Sequence, residues 1–167
     1  MRESHLAYLS LGSNIQPEIH LVQAIELIQK FGRIEKISNA WESESVGADG
    51  PNYLNVCILL ITPLAQANLK EKALLPIEKE LGRQRTADRF APRTIDIDIV
   101  IFDETSCDDK YWEQPFVVVP LAEIHPEYQN PLTQERLTET ATRLRQRVWM
   151  KTRPDVLMRL SGSRSDI

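Results

Sequence analysis

The sequence predicts an α+β domain built on one antiparallel sheet. Three observations carry this. Apolar runs of strand length occur at 6–11, 53–61 and 94–102, and helically spaced apolar residues lie between them. The resulting order is strand-helix-strand-strand-helix-strand, the split βαβ arrangement with both helices on one face of the sheet.

Residues 6–11 (LAYLSL) alternate as a strand does and are stopped by Gly12-Ser13-Asn14. From Pro17, the residues Ile19, Val22, Ile25, Leu27 and Ile28 fall at helical spacing. Pro17 suits the first turn of that helix and Gly32 its C-terminal stop. Residues 33–46 predict a second strand, followed by the loop Gly47-Ala48-Asp49-Gly50-Pro51-Asn52. Tyr53 to Ile61 is almost continuously apolar, as in a buried central strand. A second helix is expected between Pro63 and Leu81, ended by Gly82 and split or kinked by Pro76. The polar segment 82–93 predicts a loosely held loop that closes over a ligand, and 94–102 a fourth strand. Beyond it, Phe116 to Val119 suggests a short strand and Thr133 to Arg147 an amphipathic helix. Residues 1–160 then form one domain, with 161–167 expected as a disordered tail.

Composition narrows the class. A chain of 167 residues with 42% hydrophobic and 26% charged residues suits a single soluble domain. At that size the core suffices without a disulfide or structural metal. Cys57 and Cys107 make no disulfide framework, and no Cys/His spacing resembles a zinc site. The start of the chain lacks the pattern of a signal peptide, and no apolar run is long enough to span a bilayer. A net charge of -4 disfavours a dedicated nucleic-acid binder. The expectation is a cytoplasmic protein, monomeric or weakly dimeric, with neither nucleic acid nor membrane as partner.

The segment 89–100, RFAPRTIDIDIV, carries most of the chemistry. Alternation along the strand points Asp96 and Asp98 to one face, their Cα atoms about 6.5 Å apart. Carboxylates so placed can converge on a hard cation, or equally can be a solvated strand face neutralised by arginines. The adjoining loop tips the balance. It brings Arg83, Arg85, Arg89 and Arg93 against a single acid, Asp88, in a chain that is acidic overall. Guanidinium forks beside an acidic metal pair suit a polyphosphate. An RNA-contacting patch would leave the paired aspartates without a purpose. No Walker A sequence or protein-kinase motif set is present, and the Gly-Ser-Asn turn is too short for a phosphate loop. His5, His20 and His125 form no catalytic set. Tyr53 and Asn55 share a strand face, where they can stack on and hydrogen-bond a flat heterocycle, or simply begin a core strand.

RFAPRTIDIDIV resembles the signature of the 6-hydroxymethyl-7,8-dihydropterin pyrophosphokinase family. AYLSLGSN, PNYLN, IEKELGRQR and PLAEIHPE resemble further segments of that family, in its order, over most of residues 6–140. The resemblance implies a ferredoxin-like βαββαβ core, ATP with two Mg²⁺ ions, and pyrophosphate transfer to a dihydropterin alcohol. It implies Asp96 and Asp98 as metal ligands, and Arg83, Arg85 and Arg93 as catalytic arginines. Glu78, Arg85, Arg93 and Ile99 fall to the ATP site. Ser43, Val46, Tyr53, Asn55, Phe90 and Phe116 fall to the pterin pocket. The stretch DETSCDDKYWEQP between Phe102 and Phe116 holds neither the His nor the Arg with which the family meets ATP phosphates there. Two further readings therefore stand beside the enzyme. One is a pterin- or nucleotide-binding relative with weakened or lost turnover. The other is an unrelated metal-dependent nucleotidyltransferase sharing only Asp-x-Asp.

Overall fold

The computed structural model describes residues 4–45, 50–84 and 92–164, with side chains to residue 160. Strand β1 (His5–Ser13) lies at the centre of one antiparallel sheet, between β4 (Tyr53–Thr62) and β5 (Asp96–Phe102). Beyond β4 come β2 (Arg33–Ile37) and β3 (Trp41–Ser43), which share its other edge. β6 (Thr105–Ser106) extends β5, and β7 (Met150–Thr152) extends β3. The order β5-β1-β4 with β2 and β3 outside is the split βαβ core that the strand-helix order predicts.

The expected second strand, 33–46, is two short strands. Ser38 interrupts it: its hydroxyl oxygen, rather than a carbonyl, accepts from the Cys57 N–H at 2.9 Å. Its own N–H still reaches the Cys57 carbonyl, at 2.9 Å, so the chain crosses the gap without leaving β4. The expected helix over 63–81 is likewise divided. It runs as α2 (Gln66–Asn68), a π-helical stretch (Leu69–Leu74) and α3 (Leu75–Glu80), with Pro76 in the first turn of α3. Proline there needs no donor, and the wider turn before it relieves the clash of its ring with the chain behind.

Helix α1 (Pro17–Ile28) and α3 cover one face of the sheet. Leu21, Ile25, Leu74 and Ile77 pack there against Leu9, Leu11, Val56, Ile58, Ile97 and Ile99. The opposite face is buried as well. Helices α4 (Pro115–Ile124) and α5 (Leu137–Arg145) lie over Tyr8, Cys57 and Leu59, with Trp112 fully enclosed.

The strand expected at 116–119 is therefore the start of helix α4. Its run of β-branched residues suggested a strand, but Pro115 opens a helix that is buried between sheet and α5 on nearly all sides. A short apolar run buried on every side has no periodicity to separate helix from strand. Helix α5 begins at Leu137 rather than Thr133, because Asn130 folds the preceding residues into a turn, accepting from Leu132 N–H at 2.9 Å. The last helix, α6 (Pro154–Arg164), enters the stretch expected as a tail, and residues 165–167 lie outside the described residues. Among the described residues no helix is long and apolar enough to cross a membrane.

Candidate active site

Gly12 is the centre of the site. The sheet register sets Asp96 of β5 beside it on one side and Asn55 of β4 on the other, with Trp41 of β3 next in the row. Two residues back along β1, Ser10 stands between Asp98 and Cys57 in the same way. The intervening Leu9, Leu11, Ile97 and Val56 fill the core under α1 and α3, so these rows face the other side. Strands about 4.8 Å apart put Asp96 and Asn55, two strands distant, about 10 Å from each other. A Cβ on Gly12 would stand 2.8 Å from Asn55 Oδ1. Only glycine leaves both the amide and the carboxylate row open across this strand.

Two arginines converge on Asp96. Arg83 Nη1 donates to Asp96 Oδ1 at 2.6 Å and to Glu78 Oε2 at 2.9 Å, and Arg93 Nη1 donates to Asp96 Oδ2 at 3.3 Å. Helix α3 aims Arg83. Gly82 takes the left-handed conformation at φ 86, and the Arg83 N–H turns back to the Glu78 carbonyl at 3.0 Å. That Schellman turn brings the guanidinium onto the carboxylate of the same glutamate. Burial disfavours the Arg83 charge, but Asp96 and Glu78 outweigh it and hold its pKa above the usual arginine value. Arg83 is thus drawn in and enclosed at one end of the segment expected to be loosely held.

Asn14 secures the other end. Its Oδ1 accepts from Arg93 N–H at 2.8 Å, and its own N–H donates to the Arg93 carbonyl at 3.2 Å. Its side-chain amide also donates to the Pro51 carbonyl at 3.4 Å, which ties the segment before Asp96 to the loop before Tyr53. The Gly-Ser-Asn turn, too short for a phosphate loop, is therefore a joint between two parts of the site.

Tyr53 and Asn55 stand on the carboxylate face. Asn55 Nδ2 donates to the buried Ser43 hydroxyl at 3.1 Å, and Ser43 pairs with Tyr53 across the hairpin. Burial raises the Tyr53 hydroxyl pKa, while Arg93 pulls it the other way through charge and a hydrogen bond. Phe116 lies in the first turn of α4. The Cys57 thiol donates to the next residue's carbonyl, Val117 O, at 3.6 Å, which seats that turn over Cys57, two residues along β4 from Asn55.

Glu78 and Ile99 have different surroundings from the other candidates. Glu78 is 4% exposed and accepts the Ile97 N–H at 2.8 Å, capping the open edge of β5. Its place is behind Arg83, as that residue's anchor. Ile99 points into the core under α1 and α3, away from the carboxylates. Val46, Arg85 and Phe90 lie outside the described residues.

The carboxylate pair suits a divalent cation. Burial first, and then the neighbouring Asp96, push the Asp98 pKa up to about 6. A cation at the pair removes that penalty. Among the described residues no third His, Cys, Asp or Glu joins the pair to complete a metal site. Magnesium fits such a set, because it keeps waters and takes phosphate oxygens alongside one or two carboxylates. Magnesium binding at about pH 6 should therefore release roughly half a proton, and at about pH 8 none. Calorimetry in two buffers of different ionisation enthalpy measures the release. Its absence at pH 6 would remove Asp98 from the ligand set.

The model of the 7,8-dihydro-6-hydroxymethylpterin-pyrophosphokinase (HPPK) family matches residues 8–126, a span holding Gly12, Asn55, Asp96, Asp98 and Phe116. The chain belongs to this family. As an HPPK it is an ATP-dependent diphosphotransferase. It is 35% identical over 142 residues to the 2-amino-4-hydroxy-6-hydroxymethyldihydropteridine pyrophosphokinase of Aquifex aeolicus, covering 79% of this chain and 88% of that one. With the Bacillus subtilis protein of the same name it is 32% identical over 153 residues, covering 84% and 90%. A solved HPPK-DHPS in complex with substrates shares the fold, with TM-score 0.66 at 11% identity. That alignment covers 87% of this HPPK but only 44% of the solved chain.

Proposed function

We propose that this chain transfers pyrophosphate from ATP to the hydroxymethyl group of 6-hydroxymethyl-7,8-dihydropterin, releasing AMP in folate biosynthesis. One observation carries the reading. A single sheet face holds a carboxylate pair and an amide-and-ring pocket two strands apart, with only Gly12 between them.

In this reading Asn55 hydrogen-bonds the polar edge of the pterin, Ser43 orients that amide, and Tyr53 and Phe116 enclose the ring. Val46 and Phe90 complete the pocket from the segments outside the described residues. Asp96 and Asp98 hold two magnesium ions, which neutralise the triphosphate charge when bound. Arg83 and Arg93 turn from Asp96 to the phosphates, leaving the Asp96 oxygens free for metal; Arg85 joins them. Glu78 holds Arg83 in place, and the backbone at Ile99 borders the nucleotide. The hydroxymethyl oxygen forms a bond to the β-phosphorus as that phosphorus loses its bond to the oxygen bridging to the α-phosphorus. The hydroxyl proton leaves to water. Catalysis is positioning and charge stabilisation, with no covalent enzyme intermediate. The chain acts as a monomer or weak homodimer in the cytoplasm, without nucleic acid or membrane as partner.

Incubation with Mg-ATP and the pterin alcohol, followed by assay for AMP, tests the reading. AMP supports it, whereas ADP would mean a simple kinase and no product a binding relative. The binding-only alternative is not favoured, because the family match spans residues 8–126, which hold both carboxylates.

Asn55→Ala should weaken pterin binding about tenfold or more while sparing nucleotide, because the amide lies on a different strand from the carboxylates. Separate calorimetric titrations measure both affinities. Equal losses would make Asn55 a scaffold residue.

A further inference from the structure

Strand β7 and helix α6 lie beyond the family-matched residues 8–126, yet β7 continues the row that crosses the site. Thr152 pairs with Trp41, which pairs with Asn55, and Met150 pairs with Ser43, which pairs with Tyr53. The residue that follows β7 is Arg153. Its N–H donates to the Ala40 carbonyl at 2.8 Å, and its guanidinium meets carboxylates from three elements. Nη1 donates to Glu42 Oε1 at 2.8 Å, Nε and Nη2 grip Asp155 at 3.0 and 2.9 Å, and Nη2 reaches Glu18 at 3.5 Å.

Glu42 passes the contact on. Its second oxygen, Oε2, accepts from Asn52 Nδ2 at 2.8 Å, so each of its oxygens has a donor. Those two hydrogen bonds, Asn52 first and Arg153 second, hold its pKa below the usual glutamate value. Glu42 directly precedes Ser43, and Asn52 directly precedes Tyr53. Ser43 and Tyr53 form the last paired positions of the β3–β4 hairpin. The chain of contacts from Arg153 to Glu42 to Asn52 therefore closes across the hairpin mouth, beside the Asn55–Ser43 hydrogen bond.

We propose that Arg153 is a positioning residue for the pterin pocket: through Glu42 and Asn52, it sets the separation of Ser43 and Tyr53. The inference rests on the pocket assignment made above. The hydrogen bonds of Arg153 run to Ala40, Glu42, Asp155 and Glu18, away from the metal pair and its two arginines, so its effect falls on one substrate.

The test compares wild type, Arg153→Ala, Arg153→Lys and Glu42→Gln by calorimetric titration with the pterin and, separately, with a non-hydrolysable ATP analogue plus magnesium. Arg153→Ala should raise the pterin Kd and KM about tenfold, with nucleotide affinity and kcat at saturating pterin near wild type. Arg153→Lys should recover part of the loss through its charge on Glu42. Glu42→Gln leaves Arg153 with Asp155 and Glu18, so the C-terminal helix stays anchored. It should weaken pterin binding in the same direction, which keeps the proposal testable if Arg153→Ala fails to fold. Pterin binding unchanged in Glu42→Gln, or losses equal for both ligands in Arg153→Ala, would overturn the positioning role. A wild type that binds nucleotide but no pterin would instead overturn the pocket assignment.

Discussion

Replacing Asp98 by Asn should yield a protein that is more stable than wild type at pH 7.5 and nearly inactive. Both effects have one origin. The folded chain holds Asp98 protonated up to about pH 6, whereas an ordinary aspartate ionises near 3.8. Between those values the folded state binds the extra proton, so stability falls as pH rises, and above about pH 6 the full penalty is present. A neutral amide of the same shape removes it, a gain on the order of 1–3 kcal/mol. The same change removes a charged magnesium ligand, and turnover should drop at least roughly a hundredfold. Thermal unfolding in metal-free buffer should show the gain at pH 7.5 and its disappearance near pH 4. Asp96→Asn should lose turnover equally but gain no stability, because Arg83 and Arg93 both lose their shared partner. Turnover near wild type in either folded variant would break the two-aspartate assignment.

Arg83→Ala should be costly twice over. The Arg83 side chain is 10% exposed and its partner Glu78 5%, so the truncation leaves a carboxylate enclosed without that cation. Breaking such a pair from one side costs about 3 kcal/mol of stability. Losing a charge-assisted donor to the triphosphate should also lower kcat more than it weakens ATP binding, by roughly one to several kcal/mol of barrier. The two losses separate in Arg83→Ala combined with Glu78→Gln. Denaturant unfolding of that double variant should recover most of the stability, because the enclosed group is then neutral, while kcat stays low. Recovery of both would reduce Arg83 to a counter-ion for Glu78.

What the sequence disclosed, and what it hid, divides along a physical line. The shared face of Asp96 and Asp98, and that of Tyr53 and Asn55, follow from strand alternation, a local property. The stops at Gly32 and Gly82 are local as well. Asn14 was opaque because its partner, Arg93, is 79 residues away and the contact is to the backbone, which leaves no residue-type signature. Ser38 hid the break between β2 and β3 because its hydroxyl substitutes for a carbonyl only when β4 is alongside. The sequence around Phe116 suggests a strand because burial on nearly all sides of α4 erases the helical period. Glu78 could be assigned to the nucleotide site by resemblance, but only the fold shows it capping the edge of β5 behind Arg83.

The pairing of β1 with both β4 and β5 has a consequence for what change the molecule can absorb. β1 is the common ruler for two half-sites encoded far apart, one around Asn55 and the other around Asp96. A substitution on β1 perturbs one contact, and its effect is graded. Insertion or deletion of one residue between Ser10 and Gly12 moves Gly12 out of the position that both ladders share, because Asp96 and Asn55 pair there together. Because side chains alternate, the shift turns every β1 residue beyond it to the opposite face. A side chain would then stand between the amide and the carboxylate, where the native register sets a glycine. For this strand, length is a stricter constraint than composition.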